Sequence, residues 1–355
     1  MSPCSIPATP ILVTGASGYI ASWIVHDLLA AGATVHATVR DPSRASSVAH
    51  LEAMARRLPG QLRLFVADLT TPGAFDEAMQ GCEVVLHTAS PFVLEGFSDA
   101  EAALVRPAVE GTRHVLEAAN RTPSVKRVVV TSSIASVFGD NVDAADKPEH
   151  RVDEQCWNVT SSVTHNPYQY SKVAAELEAW RLHGQQSRWA LVTVNPGMVY
   201  GPSLTTQSQS ASIDTLLSMG DGRLRTGVPD LTVGFVDVRD VAQMHLLAGF
   251  HPEAKGRYIT VAGETTLLGI AQVLREHFGN AYPFPRFTVP KALVWAVGPL
   301  MGPVTRRFIR DNVGHSIRFD TRRSRELGLQ YRAIPDTLVA HFQQVLDDGL
   351  IRRRR

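Results

Sequence analysis

Short runs of aliphatic and β-branched residues alternate with longer stretches of helical spacing through the first two-thirds of the chain. Ile11–Thr14, Thr34–Val39, Leu62–Ala67, Val84–Thr88, Arg127–Thr131 and Ala190–Asn195 read as buried strands. Between them the pattern predicts helices over Gly18–Ala31, Ala45–Leu58, Phe75–Gln80, Ala100–Asn120 and Tyr168–His183. Strands separated by helices require a parallel sheet covered on both faces, and right-handed crossovers make it doubly wound. The expected fold is therefore α/β, of Rossmann type. After Pro196 the rhythm breaks: 201–227 is rich in Ser, Thr and Gly, and 281–290 holds Pro283, Pro285 and Pro290. Gly234–Val238 and Arg257–Val261 still look like strands. This predicts a dinucleotide-binding domain over 9–200, to which the chain returns at about 234–262, and a smaller substrate-binding lobe in the rest of 201–350.

Charge narrows the function. Thirty-five Lys and Arg stand against thirty-four Asp and Glu, a balance of +1, so no overall field holds nucleic acid or an anionic membrane. The one basic run, Arg352–Arg355, reads as a solvated tail. The three cysteines, Cys4, Cys82 and Cys156, have neither metal-ligand nor disulfide-framework spacing, and no metal is expected. The first apolar run, Ile11–Val13, is three residues long and does not form a signal peptide. Ala292–Val304 is apolar but short for a membrane span and broken by Gly298, Pro299, Gly302 and Pro303, which suggests a buried or lid-forming helix. The expectation is a cytoplasmic protein without nucleic-acid or membrane partners. Ala174, Ala175 and Ala179 could pack on the sheet or on a second subunit, leaving monomer and homodimer both open.

Thr14-Gly15-Ala16-Ser17-Gly18-Tyr19-Ile20-Ala21 follows the first strand and opens the first helix. Gly15 suits a tight strand-to-helix turn, Gly18 lets the backbone approach a pyrophosphate, and Ala21 lets the helix pack closely. Any sharp turn can use two glycines; the place in an alternating chain is what favours a dinucleotide. At the end of the second strand, where NAD enzymes usually carry a carboxylate, the first charged residue is Arg40. Its guanidinium suits the 2′-phosphate of NADP, with Arg44 as a second candidate. The alternative is a solvated Arg40 with Asp41 serving NAD. Asp68-Leu69 falls where a carboxylate can accept from the adenine amino group, or where a helix is capped. Thr88-Ala89-Ser90 should line the cofactor from beneath.

Tyr168 and Lys172 are four apart, hence on one helix face, with Asn166-Pro167 as a helix start. A phenol has a reference pKa of about 10, and a neighbouring ammonium stabilises its anion. Thr131-Ser132-Ser133 ends the fifth strand, at the sheet edge where ligands gather. A serine there can hold a substrate oxygen, although strand-end serines are otherwise turn formers.

Together these motifs resemble the extended short-chain dehydrogenase/reductases. Several further pieces are similar to the branch of dihydroflavonol reductases, cinnamoyl-CoA reductases and microbial aldehyde/ketone reductases. They are 39–42 (Val-Arg-Asp-Pro), 89–92 (Ala-Ser-Pro-Phe), Asp153-Glu154 with Trp157, 195–202 (Asn-Pro-Gly-Met-Val-Tyr-Gly-Pro) and 236–242. The resemblance implies Ser133, Tyr168 and Lys172 as the catalytic set. It also implies Arg40 at the 2′-phosphate and Pro196 and Val199 at the nicotinamide. At 165–168, His-Asn-Pro-Tyr departs from the cinnamoyl-CoA reductase signature and argues against that substrate. The expected activity is NADPH-dependent reduction of a hydrophobic aldehyde or ketone, or its reverse, with Phe92, Phe138, Met198 and Trp157 as candidate pocket walls. Two alternatives stand beside it: a nucleotide-sugar epimerase or dehydratase, with Arg223 and Arg225 as a phosphate clamp, and a cofactor-sensing regulator.

Overall fold

Strand β1 (Ile11–Thr14) is the centre of the molecule, and its side chains divide between two cores. Ile11 and Val13 pack into one helix layer and Leu12 into the other, all fully buried. The computed structural model describes residues 6–90, 99–205, 210–301 and 304–351. Around β1 lie β2 (Thr34–Val39), β3 (Gln61–Val66), β4 (Val84–His87), β5 (Arg127–Thr131), β7 (Ala190–Pro196) and β11 (Gly256–Thr260), in a seven-stranded sheet. Its order is β11-β7-β5-β4-β1-β2-β3, and every pairing is parallel. The chain winds outward from β1 in both directions, which opens a crevice at the strand ends between β1 and β4.

One layer holds α1 (Tyr19–Ala30), α2 (Ala45–Arg57) and α7 (Val238–Phe250). The other holds α3 (Asp76–Met79), α4 (Arg106–Arg121) and α5 (Pro167–His183), where Ala179 is buried against the sheet. The helix expected from Ala100 begins as a wide π-type turn over Glu101–Val105. Pro107 has no N–H to give to an α-helical first turn there.

The second lobe is built on its own sheet, β8 (Met198–Tyr200), β10 (Thr232–Asp237) and β12 (Gly263–Thr266). The segment expected at 234–238 is thus part of β10 in this small sheet, and the return to the large sheet is made by β11. β9 (Val228–Pro229) pairs with β13 (Thr288–Val289), and β6 (Arg151–Val152) with β14 (Arg318–Phe319). The lobe's helices are α6 (Ala211–Gly220), α8 (Leu267–Phe278), α9 (Lys291–Met301), α10 (Arg306–Asn312), α11 (Arg322–Glu326) and α12 (Ile334–Asp347). Its core gathers Tyr200, Phe235, Leu274, Phe284, Leu338 and Phe342. Of the buried or lid-forming helix expected over Ala292–Val304, the helix is present as α9 and the buried alternative fails: Ala292, Leu293, Trp295, Ala296 and Val297 are exposed. Among the described residues no helix is long and apolar enough to cross a membrane.

Candidate active site

The turn after β1 is shaped by sterics. Gly15 has φ +64°, and a Cβ there would lie 3.0 Å from Ala89 Cα and Cβ. At Gly18 a Cβ would meet the Gly15 carbonyl oxygen at 3.1 Å. No side chain caps α1 at Gly18 and no acidic residue stands in its first turn, so nothing in that turn offsets its N-terminal dipole. Thr14 ties the turn to the end of β4: its Oγ1 accepts from Thr88 N at 3.2 Å and Ala89 N at 3.1 Å. The backbone cradle therefore fits a dinucleotide pyrophosphate.

At the rim of this crevice, α5 starts on Asn166, which is left-handed at φ 54°. Its amide donates to Gly139 O at 3.0 Å and to Asp140 Oδ1 at 2.9 Å, and His165 Nε2 lies 2.7 Å from Asp140 Oδ2. These contacts hold the strained start in place, and Tyr168 and Lys172 follow on the cleft side. Lys172 Nζ lies 5.6 Å from the Tyr168 ring centroid and donates to Ser90 Oγ at 2.9 Å. Burial pushes the Tyr168 phenol up to about 12 and the Lys172 ammonium down to about 8. Ser133 caps a short 3-10 turn, its Oγ accepting from Ala135 N at 3.1 Å. That bond fixes the oxygen and leaves its hydrogen to donate.

A buried polar network lies under the serines, and sequence reasoning missed it. Glu176 and Arg257 pair at 2.6 Å, both almost wholly buried. Glu176 also accepts from Ser132 Oγ, from Ser136 Oγ at 2.5 Å and from Asn195 Nδ2 at 2.8 Å. Burial opposes its charge, but Arg257 and the hydroxyls outweigh that and hold its carboxyl below the usual range. Asn195 and Ser136 reach the Ser133 carbonyl at 3.2 and 2.7 Å, so the network grips the backbone of the candidate catalytic serine. The available signal was spacing: Glu176 repeats the four-residue step of Tyr168 and Lys172.

The glycine turn, Ser133, Tyr168 and Lys172 line a cavity of about 480 Å³. Of the sequence-derived residues, Gly15, Gly18, Tyr19, Ile20, Thr88, Ser90, Ser133, Tyr168, Lys172, Pro196 and Val199 meet there, with Phe138 and Met198 in its wall. Ala89 backs Gly15, and Ser17 lies in the turn without lining the cavity. Arg40 is exposed past the end of β2. The Asp41 carboxylate is taken up by Ser43, whose N–H and Oγ donate at 3.0 and 2.6 Å. Asp68 is similarly engaged by Thr70, which holds its carboxyl below the usual range. The Leu69 carbonyl lies 2.7 Å from His114 Nδ1. Trp157 is a correction to the expected pocket wall: its ring lies under the Arg257 guanidinium at 3.8 Å, outside the cavity lining. Phe92 lies outside the described residues. Phe308 and Asn312 of α10 complete the far wall, with Asn312 donating to Asp140 Oδ1 at 2.6 Å.

The model of the NAD-dependent epimerase/dehydratase family matches residues 11–262, from β1 through β11. The chain belongs to this family. Within it the chain is an extended short-chain dehydrogenase/reductase, and its relatives are reductases. Tetraketide alpha-pyrone reductase 1 of Arabidopsis thaliana is 34% identical over 347 residues, covering 96% of both chains. Cinnamoyl-CoA reductase CAD2 of Medicago truncatula is 40% identical over 271 residues, 75% of this chain and 80% of that one. Yeast methylglyoxal/isovaleraldehyde reductase, solved with NADPH, superimposes with a TM-score of 0.77 at 27% identity, covering 96% of this chain and 99% of that one. As a family member the protein is an NAD(P)-dependent oxidoreductase with a Rossmann-type sheet.

Proposed function

We propose that this oxidoreductase uses NADPH to reduce hydrophobic aldehydes and ketones, with Tyr168 as the proton donor. The observation that carries the reading is the cavity: Ser133, Tyr168 and Lys172 share it with Phe138, Met198, Leu231, Val233 and Phe308. An apolar chamber with one polar focus suits a carbonyl compound. Among the described lining residues Lys172 is the only cation. A nucleotide sugar would call for a phosphate clamp, yet Arg223 is exposed and paired with Asp221 at 2.7 Å, and neither it nor Arg225 lines the cavity.

The glycine turn and the start of α1 would hold the pyrophosphate, Arg40 the 2′-phosphate, and Pro196–Val199 the nicotinamide. Asp41, engaged with Ser43, is poorly placed to serve a ribose hydroxyl instead. NADPH, when bound, supplies a hydride to the carbonyl carbon. The protein supplies the rest. Tyr168, protonated at neutral pH as an ordinary phenol is and held further in that form by burial, passes its proton to the carbonyl oxygen. Ser133 donates a hydrogen bond to the same oxygen as charge develops. Lys172, charged below about pH 8, steadies the phenolate that remains until solvent reprotonates it.

The test is a panel of aryl and alkyl aldehydes, ketones, diketones and keto esters, followed by loss of the reduced-nicotinamide absorbance. Several should turn over, and Tyr168→Phe should lower kcat at least ~10²-fold without altering the circular dichroism. Inactivity across the panel, with tight calorimetric binding of a UDP-sugar, would replace this reading with an epimerase or dehydratase.

A further inference from the structure

Nine large hydrophobic side chains are exposed among the described residues, and five of them, Phe287, Leu293, Trp295, Val297 and Val304, fall within one short stretch. They centre on α9, which is packed the wrong way round for a surface helix. Its inner side is marked by Gly298, where a Cβ would lie 3.1 Å from Ile309 of α10. Its outer side presents Ala292, Leu293, Ala296 and Val297, all exposed and none polar. Trp295, 48% exposed, sits on the shoulder with the Arg306 guanidinium 4.6 Å from its ring centroid.

The stretch of chain that carries this face is one-sided in charge. Between 286 and 311 the basic residues are Arg286, Lys291, Arg306, Arg307 and Arg310, against one acid, Asp311, which pairs with Arg307 at 3.7 Å and Arg310 at 2.6 Å. The near-neutral balance of the whole chain conceals this local excess. An apolar helix face, a shoulder tryptophan and a rim of Arg and Lys together fit the boundary of an anionic bilayer, where rings sit at headgroup depth and long cationic stems reach the phosphates. A second copy of the chain fits less well, since a two-fold contact would set like charges against each other.

We propose that the outer face of α9 seats the protein on anionic phospholipid surfaces as a peripheral, non-spanning contact. The packing gives the contact a purpose. α10 packs against α9 and lines the cavity through Phe308 and Asn312, so a seated molecule holds its chamber one helix away from dissolved apolar carbonyls. That purpose rests on the reading of the substrate above. The seating does not, and a binding assay reads the seating alone.

The experiment is co-sedimentation of the full chain with vesicles of phosphatidylcholine, and with vesicles in which about one-third is phosphatidylserine. Binding should favour the anionic vesicles and fall as salt is raised. The double variant Leu293→Glu, Val297→Glu should bind at least ~10-fold more weakly, with an unchanged melting curve and unchanged turnover of water-soluble carbonyls. Replacing Arg352–Arg355 with serine should leave binding in place. Equal binding to both vesicle types, undiminished binding by the double variant, or loss with the tail substitutions alone would overturn the proposal. So would a dimer in sedimentation velocity that the double variant abolishes while vesicles are not bound; α9 would then be a subunit contact.

Discussion

Lys172 is held against its own electrostatics. Burial lowers its ammonium to about 8 from an ordinary 10.5, so its charged form is disfavoured in the folded protein. The cost is full below about pH 8 and is relieved as pH rises toward 10.5, because the unfolded chain then binds the extra proton. Lys172→Met should therefore raise the melting temperature of the cofactor-free protein at pH 7. It should also remove the relative stabilisation across that alkaline window while abolishing turnover. Scanning calorimetry across pH checks this, and a lower melting temperature at pH 7 would contradict it. Arg40 is a simpler case. Arg40→Ala should weaken NADPH binding by about 1.5–3 kcal/mol and leave NADH nearly unchanged, read by calorimetric titration of both cofactors. Equal losses would make Arg40 structural and withdraw the preference for NADP. Tyr168 and Lys172 were legible because helical spacing is local. Glu176 was not: a helical carboxylate is ordinarily solvated, and its partner Arg257 lies 81 residues away.

At the scale of elements, the Glu176–Arg257 pair fastens α5 to β11, one carrying the candidate acid and the other closing the sheet. Removing one partner strands a buried charge. Glu176→Leu should destabilise the fold by about 3–5 kcal/mol, and the double variant with Arg257→Leu by clearly less than the two single losses added. Urea melts of the four proteins give the coupling, and simple additivity would show that the pair is not a unit. The strands and helices of the large sheet were readable because each is one continuous apolar or periodic run. The affiliation of β10 was not, since pairing depends on partners distant in sequence. The buried alternative for α9 failed for a related reason: an apolar run states what would gain from burial, not whether the fold supplies a surface to bury it.

Across the whole molecule, one polar tie joins the front of α7 to the second lobe, and two more hold the ends of β8 and β10 to α12 within that lobe. The Arg332 backbone N–H donates to Asp240 at 2.8 Å, and Thr337 Oγ1 to Asp237 at 2.8 Å. Gly201 N donates to His341 Nδ1 at 3.0 Å. The strand–helix alternation and its break after Pro196 led to the expectation of a two-part α/β molecule, but not of these ties, which join single polar groups across more than ninety residues. The position of β11 has a consequence in time. It covers the outer ladder of β7 from Val192 to Pro196, yet its last paired residue is Thr260. A ribosome adding roughly 5–20 residues each second needs about 3–13 s to make the intervening stretch. Through that interval the nascent sheet carries an uncovered apolar edge, with the lobe's own β8 and β10 emerging beside it as wrong partners. That edge is closed only when β11 has been made and paired.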